Sequence, residues 1–241
     1  MPLALPTLAL AALVAVATLA SAQTAPPSSP GDDSYRPRFG QSGKDVVWIP
    51  TPDALVQRML QAAKVTDRDL VYDLGAGDGK IPIAAARDFR ARAVGIEYNP
   101  ELAELARRNA QRAGVDDRVR IITGDIFAND FSAATVVTLY LLPELNRRLM
   151  PQLMKLKPGT RIVSHAFKMA DWEPDETIGE SDRDAFLWIV PANAAGRWSL
   201  SEQRGEWTAT VDIAQLHQRI GGTVALDRQT QPLLSPTLSG E

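Results

Sequence analysis

The residues best suited to chemistry lie in a glycine-rich segment that follows a short apolar run. Gly75, Gly77 and Gly79 alternate with other residues directly after Leu70–Leu74, and a helical pattern starts immediately afterwards. Glycine lets the backbone bend without Cβ clashes and approach a ligand closely. A carboxylate, Asp73, stands two residues before the first of these glycines. The segment is therefore typical of a loop that holds a small ligand at the end of a β-strand.

The charges and spacing around this loop favour a cationic nucleoside over a dinucleotide. A dinucleotide loop has the pattern Gly-x-Gly-x-x-Gly, whereas here Lys80 occupies the place of the last glycine. Asp73 would repel a pyrophosphate but would attract a positively charged ligand. Glu97 closes the next predicted strand, where a carboxylate can accept hydrogen bonds from ribose hydroxyls. A nicotinamide-dependent oxidoreductase is accordingly a minor alternative.

The composition excludes several other classes of site. The formal net charge is −3, from 26 basic and 29 acidic residues, which lacks the basic excess of duplex-binding proteins. We therefore predict no nucleic-acid partner. The chain has no cysteine and two histidines, His165 and His217, which excludes disulfides and thiolate ligands and disfavours a multi-histidine metal site. No metal is predicted.

The elements that position these residues follow an alternating pattern. From Asp45 onward, β-branched runs alternate with helical stretches, which predicts an α/β fold with a doubly wound, mostly parallel sheet. We expect Thr51 to cap the opening helix. Two later runs, 186–190 and 197–200, are predicted to pair as a hairpin, and the last 35 residues to form a β-rich extension. The predicted strands of the parallel part are 70–74, 93–97, 119–122, 135–141 and 161–164.

Residues 46–190 closely resemble the class I S-adenosylmethionine-dependent methyltransferases. The shared motifs are the Asp-x-Gly-x-Gly loop, the acid after the second strand, and the segments 124–127 and 156–160. The resemblance implies a seven-stranded Rossmann-like sheet and S-adenosylmethionine as cofactor. It further implies that Asp73, Gly75 and Gly77 bind the methionine end of the cofactor. Glu97 would then bind the ribose, and Asp125 and Ile126 would contact the adenine.

A narrower resemblance concerns the methyl acceptor. Residues 49–52, 73–80 and 125–127 are similar to the group that contains the mitochondrial lysine methyltransferases of the ATP synthase c subunit and of the adenine nucleotide translocator. The segment 139–143 reads Leu-Tyr-Leu-Leu-Pro, unlike the Asn-Pro-Pro-Tyr of adenine-N6 and glutamine methyltransferases. We predict that Tyr140 lines the acceptor pocket. A protein lysine is the first candidate acceptor, and a small molecule or a lipid is the alternative.

The N-terminal sequence gives an expectation for the cellular compartment of the protein. Residues 3–22 are apolar, and residues 20–22 read Ala-Ser-Ala, a small-x-small cleavage pattern. We expect an exported, periplasmic protein; the alternative is an uncleaved membrane anchor with the domain in the cytoplasm. Export would also suit a non-catalytic binding module with a methyltransferase fold. The predicted organisation is a signal peptide or anchor at 1–22, a disordered linker at 23–44, a methyltransferase domain at 45–203 and the β-rich extension at 204–241.

Three further features have structural interpretations. We expect His165 to be a hydrogen-bonded structural histidine and Trp172 to serve in packing; the alternatives are that His165 reaches the ligand edge of the sheet and that Trp172 forms a lid. The cluster Arg107, Arg108 and Arg112 is predicted to be a solvated helix face.

Overall fold

The computed structural model describes residues 31–41, 43, 48–179, 185–202 and 207–238. The predicted signal or anchor segment 1–22 lies outside the described residues, as does part of the predicted linker. Among the described residues, no helix combines the length and the apolar character required to cross a bilayer. The helices are α1 (Asp53–Ala62), α2 (Lys80–Phe89), α3 (Pro100–Arg112) and α4 (Pro143–Leu153). The strands are β1 (Leu70–Leu74), β2 (Arg92–Glu97), β3 (Val119–Thr123), β4 (Val136–Leu139), β5 (Arg161–His165), β6 (Glu176–Ile178), β7 (Ala185–Ile189), β8 (Gly196–Ser201), β9 (Thr208–Leu216), β10 (Arg219–Leu226) and β11 (Gln229–Pro232).

Seven strands form the main sheet, in the order β3-β2-β1-β4-β5-β7-β6. The five neighbouring strands β3, β2, β1, β4 and β5 are all parallel. Strand β7 runs antiparallel to β5 and to β6. The chain order reverses between β1 and β4. Ligands of open α/β sheets bind at such a switch point, outside the carboxyl ends of the strands. The predicted fold class is confirmed.

Alternating side chains of the sheet enter two apolar layers. On one face, Val71 and Ala93 pack with the buried sides of α1, α2 and α3. On the other face, Leu139 and Ile162 pack with α4 and with two fully buried indoles, Trp172 and Trp188. Because helices cover both faces, the strands are largely buried, as is usual for parallel sheets. The predicted packing role of Trp172 is confirmed.

The beginning of α1 differs from the prediction. The helix starts at Asp53 after Pro52, and no side chain caps it. Thr51 is buried, and its hydroxyl lies 3.1 Å from Nδ1 of His165 instead. The prediction of a threonine cap was therefore wrong, because a tertiary partner from β5 takes the hydroxyl.

The predicted hairpin of 186–190 with 197–200 was also wrong. The first run is β7, which lies between β5 and β6 in the main sheet. The second run is β8, which pairs with β9 in a separate antiparallel sheet of order β11-β10-β9-β8. That sheet begins at Gly196, before residue 204, and its antiparallel strands agree with the predicted β-rich C-terminus. It meets the segment after β5 where His217 stacks on Trp172, with ring centroids 5.8 Å apart.

The arginine cluster of α3 is not simply solvated. Arg108 and Arg112 pair with the carboxylate of Asp32 at 2.7 and 3.0 Å. Arg107 pairs with Glu104 and donates to the carbonyl of Ile121. Part of the predicted linker, residues 31–41, therefore lies against the domain through the Asp32 ion pairs.

Candidate functional site

The strand order brings the predicted site residues to one edge of the sheet. Tyr140 follows β4, Asp73 lies in β1, Glu97 ends β2, and Asp125 follows β3. These four strands are adjacent, so their carboxyl ends stand about 5 Å apart from one to the next. A cavity of about 220 Å³ opens there. All seven predicted site residues line it: Asp73, Gly75, Gly77, Glu97, Asp125, Ile126 and Tyr140.

The glycine loop is held by β2. The N–H groups of Gly75 and Ala76 both donate to the carbonyl of Ile96, at 2.9 and 3.0 Å. Gly75 and Gly77 have φ values of +87° and +54°, a region that side chains with a Cβ adopt at a cost. A methyl group at Gly77 would lie 2.7 Å from Nε1 of Trp48, so this glycine is also needed for close packing.

Asp73 is buried beneath the loop, at 3% exposure. Its Oδ1 accepts a hydrogen bond of 2.8 Å from the hydroxyl of Thr138, the residue opposite it on β4. Burial raises the pKa of Asp73 to about 7, and the nearby carboxylates of Glu97 and Asp78 act in the same direction, whereas Thr138 opposes the shift. A buried acid of this kind gains stability from a cation placed beside it.

Glu97 links the second strand to the loop. One carboxylate oxygen accepts from the N–H of Gly77 and the other from the N–H of Asn99, each at 2.8 Å. Burial raises the pKa of Glu97, although these backbone donors lower it. Each carboxylate oxygen has a second lone pair, so Glu97 retains acceptor capacity on the side that lines the cavity.

The third strand ends in a compact turn. Oδ1 of Asp125 accepts from the N–H of Phe127 at 2.9 Å, and the Asp125 carbonyl accepts from the side chain of Asn129 at 2.7 Å. Ile126 is partly buried and also lines the cavity. The turn therefore presents an acceptor and an apolar side chain next to each other.

The opposite end of the cavity is aromatic. Tyr140 contacts His165 in a tilted arrangement, with ring centroids 3.9 Å apart, and stacks on the ring of Phe167 with centroids 6.3 Å apart. His165 is buried and contacts Thr51, so the structural role predicted for it is consistent with its surroundings. Leu141, Leu142 and Leu145 extend this wall with apolar side chains.

Phe167, Trp48 and Thr51 are among the lining residues that were not predicted as site residues. Phe167 reaches the cavity because Ala166 has a positive φ, +64°, which turns the chain sharply after β5. Trp48 and Thr51 come from the segment before α1. An aromatic residue directly after a strand that ends at the ligand edge was the available signal for Phe167; Trp48 gave no comparable signal.

The geometry fits the predicted cofactor. Asp73 and Glu97 are buried and Asp78 is partly buried, and burial raises the pKa of each. The described hydrogen bonds of Asp73 and Glu97 come from neutral donors, whereas the Lys80 ammonium pairs with Asp53 at 2.8 Å. These two carboxylates thus offer negative charge to a cationic ligand. Over the part of the chain that the structure describes, no group of three potential metal ligands occurs.

Comparison with known proteins decides the family. The family model described as "ANTKMT methyltransferase domain" matches residues 73–176. A protein-lysine N-methyltransferase of Saccharolobus islandicus is 46% identical over 151 residues, which cover 60% of this chain and 94% of that protein. The chain belongs to the class I S-adenosylmethionine-dependent methyltransferases. The predicted enzyme class and cofactor are thereby confirmed.

Two other methyltransferases are similar to this one. A crystallised RNA methyltransferase of Salinibacter ruber, in complex with S-adenosyl-L-homocysteine, is 50% identical, with a TM-score of 0.59 over 60% of this chain and 95% of that chain. A lysine N-methyltransferase of Mus musculus, which takes its name from the c subunit of ATP synthase, is 29% identical over 70% of this chain. The present methyltransferase spans 66% of the length of the mouse protein.

Proposed function

We propose that this methyltransferase acts on the ε-amino group of a protein lysine. The observation that carries the proposal is the apolar and aromatic wall at the end of β4, formed by Tyr140, Phe167 and the leucines beside them. A lysine with an ordinary pKa near 10.4 is protonated at neutral pH, and removal from water disfavours that charge. Burial of the lysine against this wall would therefore favour the neutral amine, whose proton passes to water before the methyl transfer. The names of the archaeal and mouse relatives support the same acceptor.

We propose further that the cofactor lies across the ends of β1, β2 and β3. Asp73 and the loop of Gly75 and Gly77 would hold its cationic methionine end, Glu97 would accept from the ribose hydroxyls, and Asp125 with Ile126 would contact the adenine. The spacing of adjacent strands supports this order, since the four strand ends form one continuous line that finishes at Tyr140.

The residues of the chain contribute positioning and electrostatics. When bound, the cofactor supplies a sulfonium methyl group, which the amine nitrogen takes up in line while the carbon–sulfur electron pair stays on sulfur. Asp73 would orient the cationic methionine end of the cofactor, and Glu97 would orient its ribose hydroxyls. Both carboxylates are held at fixed positions in a buried site, where electrostatic interactions and hydrogen bonds are strong. Tyr140, held by His165, fixes one side of the acceptor amine and excludes water from it.

An RNA acceptor is the competing proposal because the Salinibacter relative carries that name. Two features of the present chain favour protein. Its net charge is −3, whereas RNA binding draws on clustered basic residues. The segment 139–143 at the end of β4, Leu-Tyr-Leu-Leu-Pro, offers aliphatic side chains where a base-methylating enzyme needs polar groups for the base edges.

The acceptor class can be tested with a methyl-labelled donor. We expect the purified methyltransferase, incubated with cell extract and radiolabelled S-adenosylmethionine, to place label in the protein fraction, recovered as methyl-lysine after hydrolysis. Label in RNA, lipid or small metabolites instead would contradict the proposal. Glu97→Ala serves as the cofactor-site control and should abolish labelling.

A second variant tests the acceptor wall separately from the cofactor site. Tyr140→Leu should lower labelling by about 10- to 100-fold through poorer positioning of the acceptor. Its affinity for S-adenosylhomocysteine, measured by calorimetry, should stay within about twofold of that of the unmodified chain, since Tyr140 adjoins the acceptor. If labelling and the affinity for S-adenosylhomocysteine fell by the same factor, Tyr140 would belong to the cofactor site.

For the compartment, we propose that residues 3–22 target the protein to a membrane. They act either as a cleaved export signal or as an uncleaved anchor that leaves the domain in the cytoplasm. The apolar composition of the segment and its Ala-Ser-Ala end support targeting.

A further inference from the structure

The segment of residues 31–41, here named the N-terminal strap, connects the distal end of α3 with the cofactor cavity. Its first part contacts Arg108 and Arg112 on α3. Its last residue, Gln41, lines the cavity together with Gly43 and Trp48. The strap therefore joins a surface cluster of charges to the wall of the site.

Asp32 anchors the strap. Its carboxylate lies 2.7 Å from Nε of Arg108 and 3.0 Å from Arg112, and only 12% of its side chain is exposed. The other carboxylate oxygen accepts from the N–H groups of Ser34 and Tyr35, at 3.0 and 2.9 Å. The pKa of Asp32 is lowered, chiefly by Arg108, so the group stays ionised at neutral pH. One carboxylate thus ties the strap to α3 and also shapes the turn that follows it.

The turn delivers Tyr35 to an apolar cluster with Trp48, Leu102 and Leu105. The hydroxyl of Tyr35 accepts from the side-chain amide of Gln41 at 2.8 Å. Gln41 in turn accepts from the N–H of Trp48 through its backbone carbonyl, at 2.9 Å. Continuous contacts therefore run from Asp32 to the indole of Trp48.

Trp48 ends this series of contacts at the glycine loop. Its indole packs so closely on Gly77 that a Cβ there would lie 2.7 Å from Nε1. Gly77 donates its N–H to Glu97, and both residues line the cavity. The position of Trp48 is therefore coupled to the loop and to the carboxylate that line the cofactor site.

We infer that Asp32 is a positioning residue for cofactor binding, which acts on the glycine loop through the strap and Trp48. The Asp32 ion pairs hold the strap on α3, and the strap holds the indole against Gly77. Loss of the carboxylate frees the strap, so that Trp48 no longer covers the loop and the cofactor dissociates faster. The inference concerns cofactor affinity alone and is independent of the identity of the methyl acceptor.

The test compares Asp32→Asn with the matched control Asp33→Asn in the full chain. Asp33 is fully exposed and contacts only Arg36 at 3.4 Å among the described ion pairs. With S-adenosylhomocysteine as the probe in calorimetry, Asp32→Asn should raise Kd about fivefold, a size typical of losing a partly buried charge network. Asp33→Asn should leave Kd unchanged, and Asp32→Glu should recover part of the affinity by restoring the charge. Equal Kd values for Asp32→Asn and Asp33→Asn would overturn the inference.

A double-mutant cycle separates positioning from general stabilisation. In a Trp48→Ala background, Asp32→Asn should have no further effect on Kd, because the indole through which the strap acts is absent. An undiminished fivefold effect in that background would also overturn the inference. Thermal melting of each variant confirms that the compared proteins are folded at the assay temperature.

Discussion

Burial disfavours the ionised form of Asp73, as it does for Glu97 and Asp78 in the same site. Asp73 is 3% exposed, and burial raises its pKa to about 7. Half of the carboxyl groups are then protonated near neutral pH before a cation arrives. A cationic ligand would lower this pKa, so that binding and ionisation support each other.

This coupling predicts the pH dependence of cofactor affinity. Only the ionised carboxylate attracts a cation, and its fraction rises about tenfold between pH 6 and pH 8 for a pKa of about 7. The affinity for S-adenosylmethionine, measured by calorimetry, should therefore increase about tenfold over this range. In Asp73→Asn the affinity should be lower at pH 8 and independent of pH. The exposed residue Asp130 provides the control, since Asp130→Asn should keep the slope of the unmodified chain.

The same residue affects the stability of the cofactor-free protein in the opposite sense. Its folded pKa of about 7 lies above the ordinary 3.8, so the folded state binds more protons between these values. Stability is fully present below pH 3.8 and falls as pH rises through 7. Asp73→Asn should hence stabilise the cofactor-free protein by about 4 kcal/mol at pH 8 in denaturant titrations. A loss of stability at that pH would contradict the sign of the pKa shift.

At the scale of elements, two separate constraints in the glycine loop act on Gly77: its backbone conformation and its close packing. Gly77 has a φ of +54°, and it also lies against the indole of Trp48. Gly114, which follows α3, has a similar φ of +65°, but a Cβ at that position would meet no heavy atom within 4 Å. The two glycines share a backbone conformation and differ in their surroundings.

The comparison of these glycines gives a further prediction. Gly114→Ala should cost about 1 kcal/mol of unfolding free energy, from backbone strain alone, and leave cofactor affinity unchanged. Gly77→Ala should cost about 1 kcal/mol more and weaken S-adenosylhomocysteine binding at least tenfold, because the methyl displaces Trp48 and disturbs the bond to Glu97. Equal effects of both substitutions on binding would show that the close packing has no functional consequence.

The elements also indicate how far the sequence could predict this molecule. The sequence was sufficient to predict Asp73, the glycine loop and Glu97. Their spacing is typical of two adjacent strands, and their negative charges indicate a cationic ligand. The contact of Thr51 with His165 spans 114 positions, and the pair of Asp32 with Arg108 spans 76. Such pairings depend on tertiary packing, which no local pattern records.

The misassigned hairpin has a similar cause. Both 186–190 and 197–200 have strand character, but β propensity does not reveal which sheet a strand joins. Phe186, Leu187 and Trp188 form a continuous apolar run, which suits a strand covered on both faces. Every residue of β8 is exposed, as its position at a sheet edge allows. The continuous apolar run of 186–190, which 197–200 lacks, was the signal that the two strands belong to different sheets.

At the scale of the whole molecule, the cavity draws on the carboxyl ends of β1 to β4 and on the segment after β5. The described residues that line the cavity run from Gln41 to Phe167. The C-terminal sheet lies outside this range and contacts the segment after β5 through His217 and Gln218. The described residues of the C-terminal sheet thus contribute nothing to the cavity wall.

The family assignment also bears on the compartment, because S-adenosylmethionine is charged and is made in the cytoplasm. Between the two proposals for residues 3–22, it favours an anchor that keeps the domain in the cytoplasm. Arg36 and Arg38 follow the segment, which agrees with that orientation. A C-terminal fusion to alkaline phosphatase, which is active only outside the cytoplasm, should therefore be inactive and remain in the membrane fraction. The same fusion behind an established export signal provides the positive control, and removal of residues 1–22 should release the protein from the membrane. An active fusion, cut after Ala22, would establish export and refute the anchor.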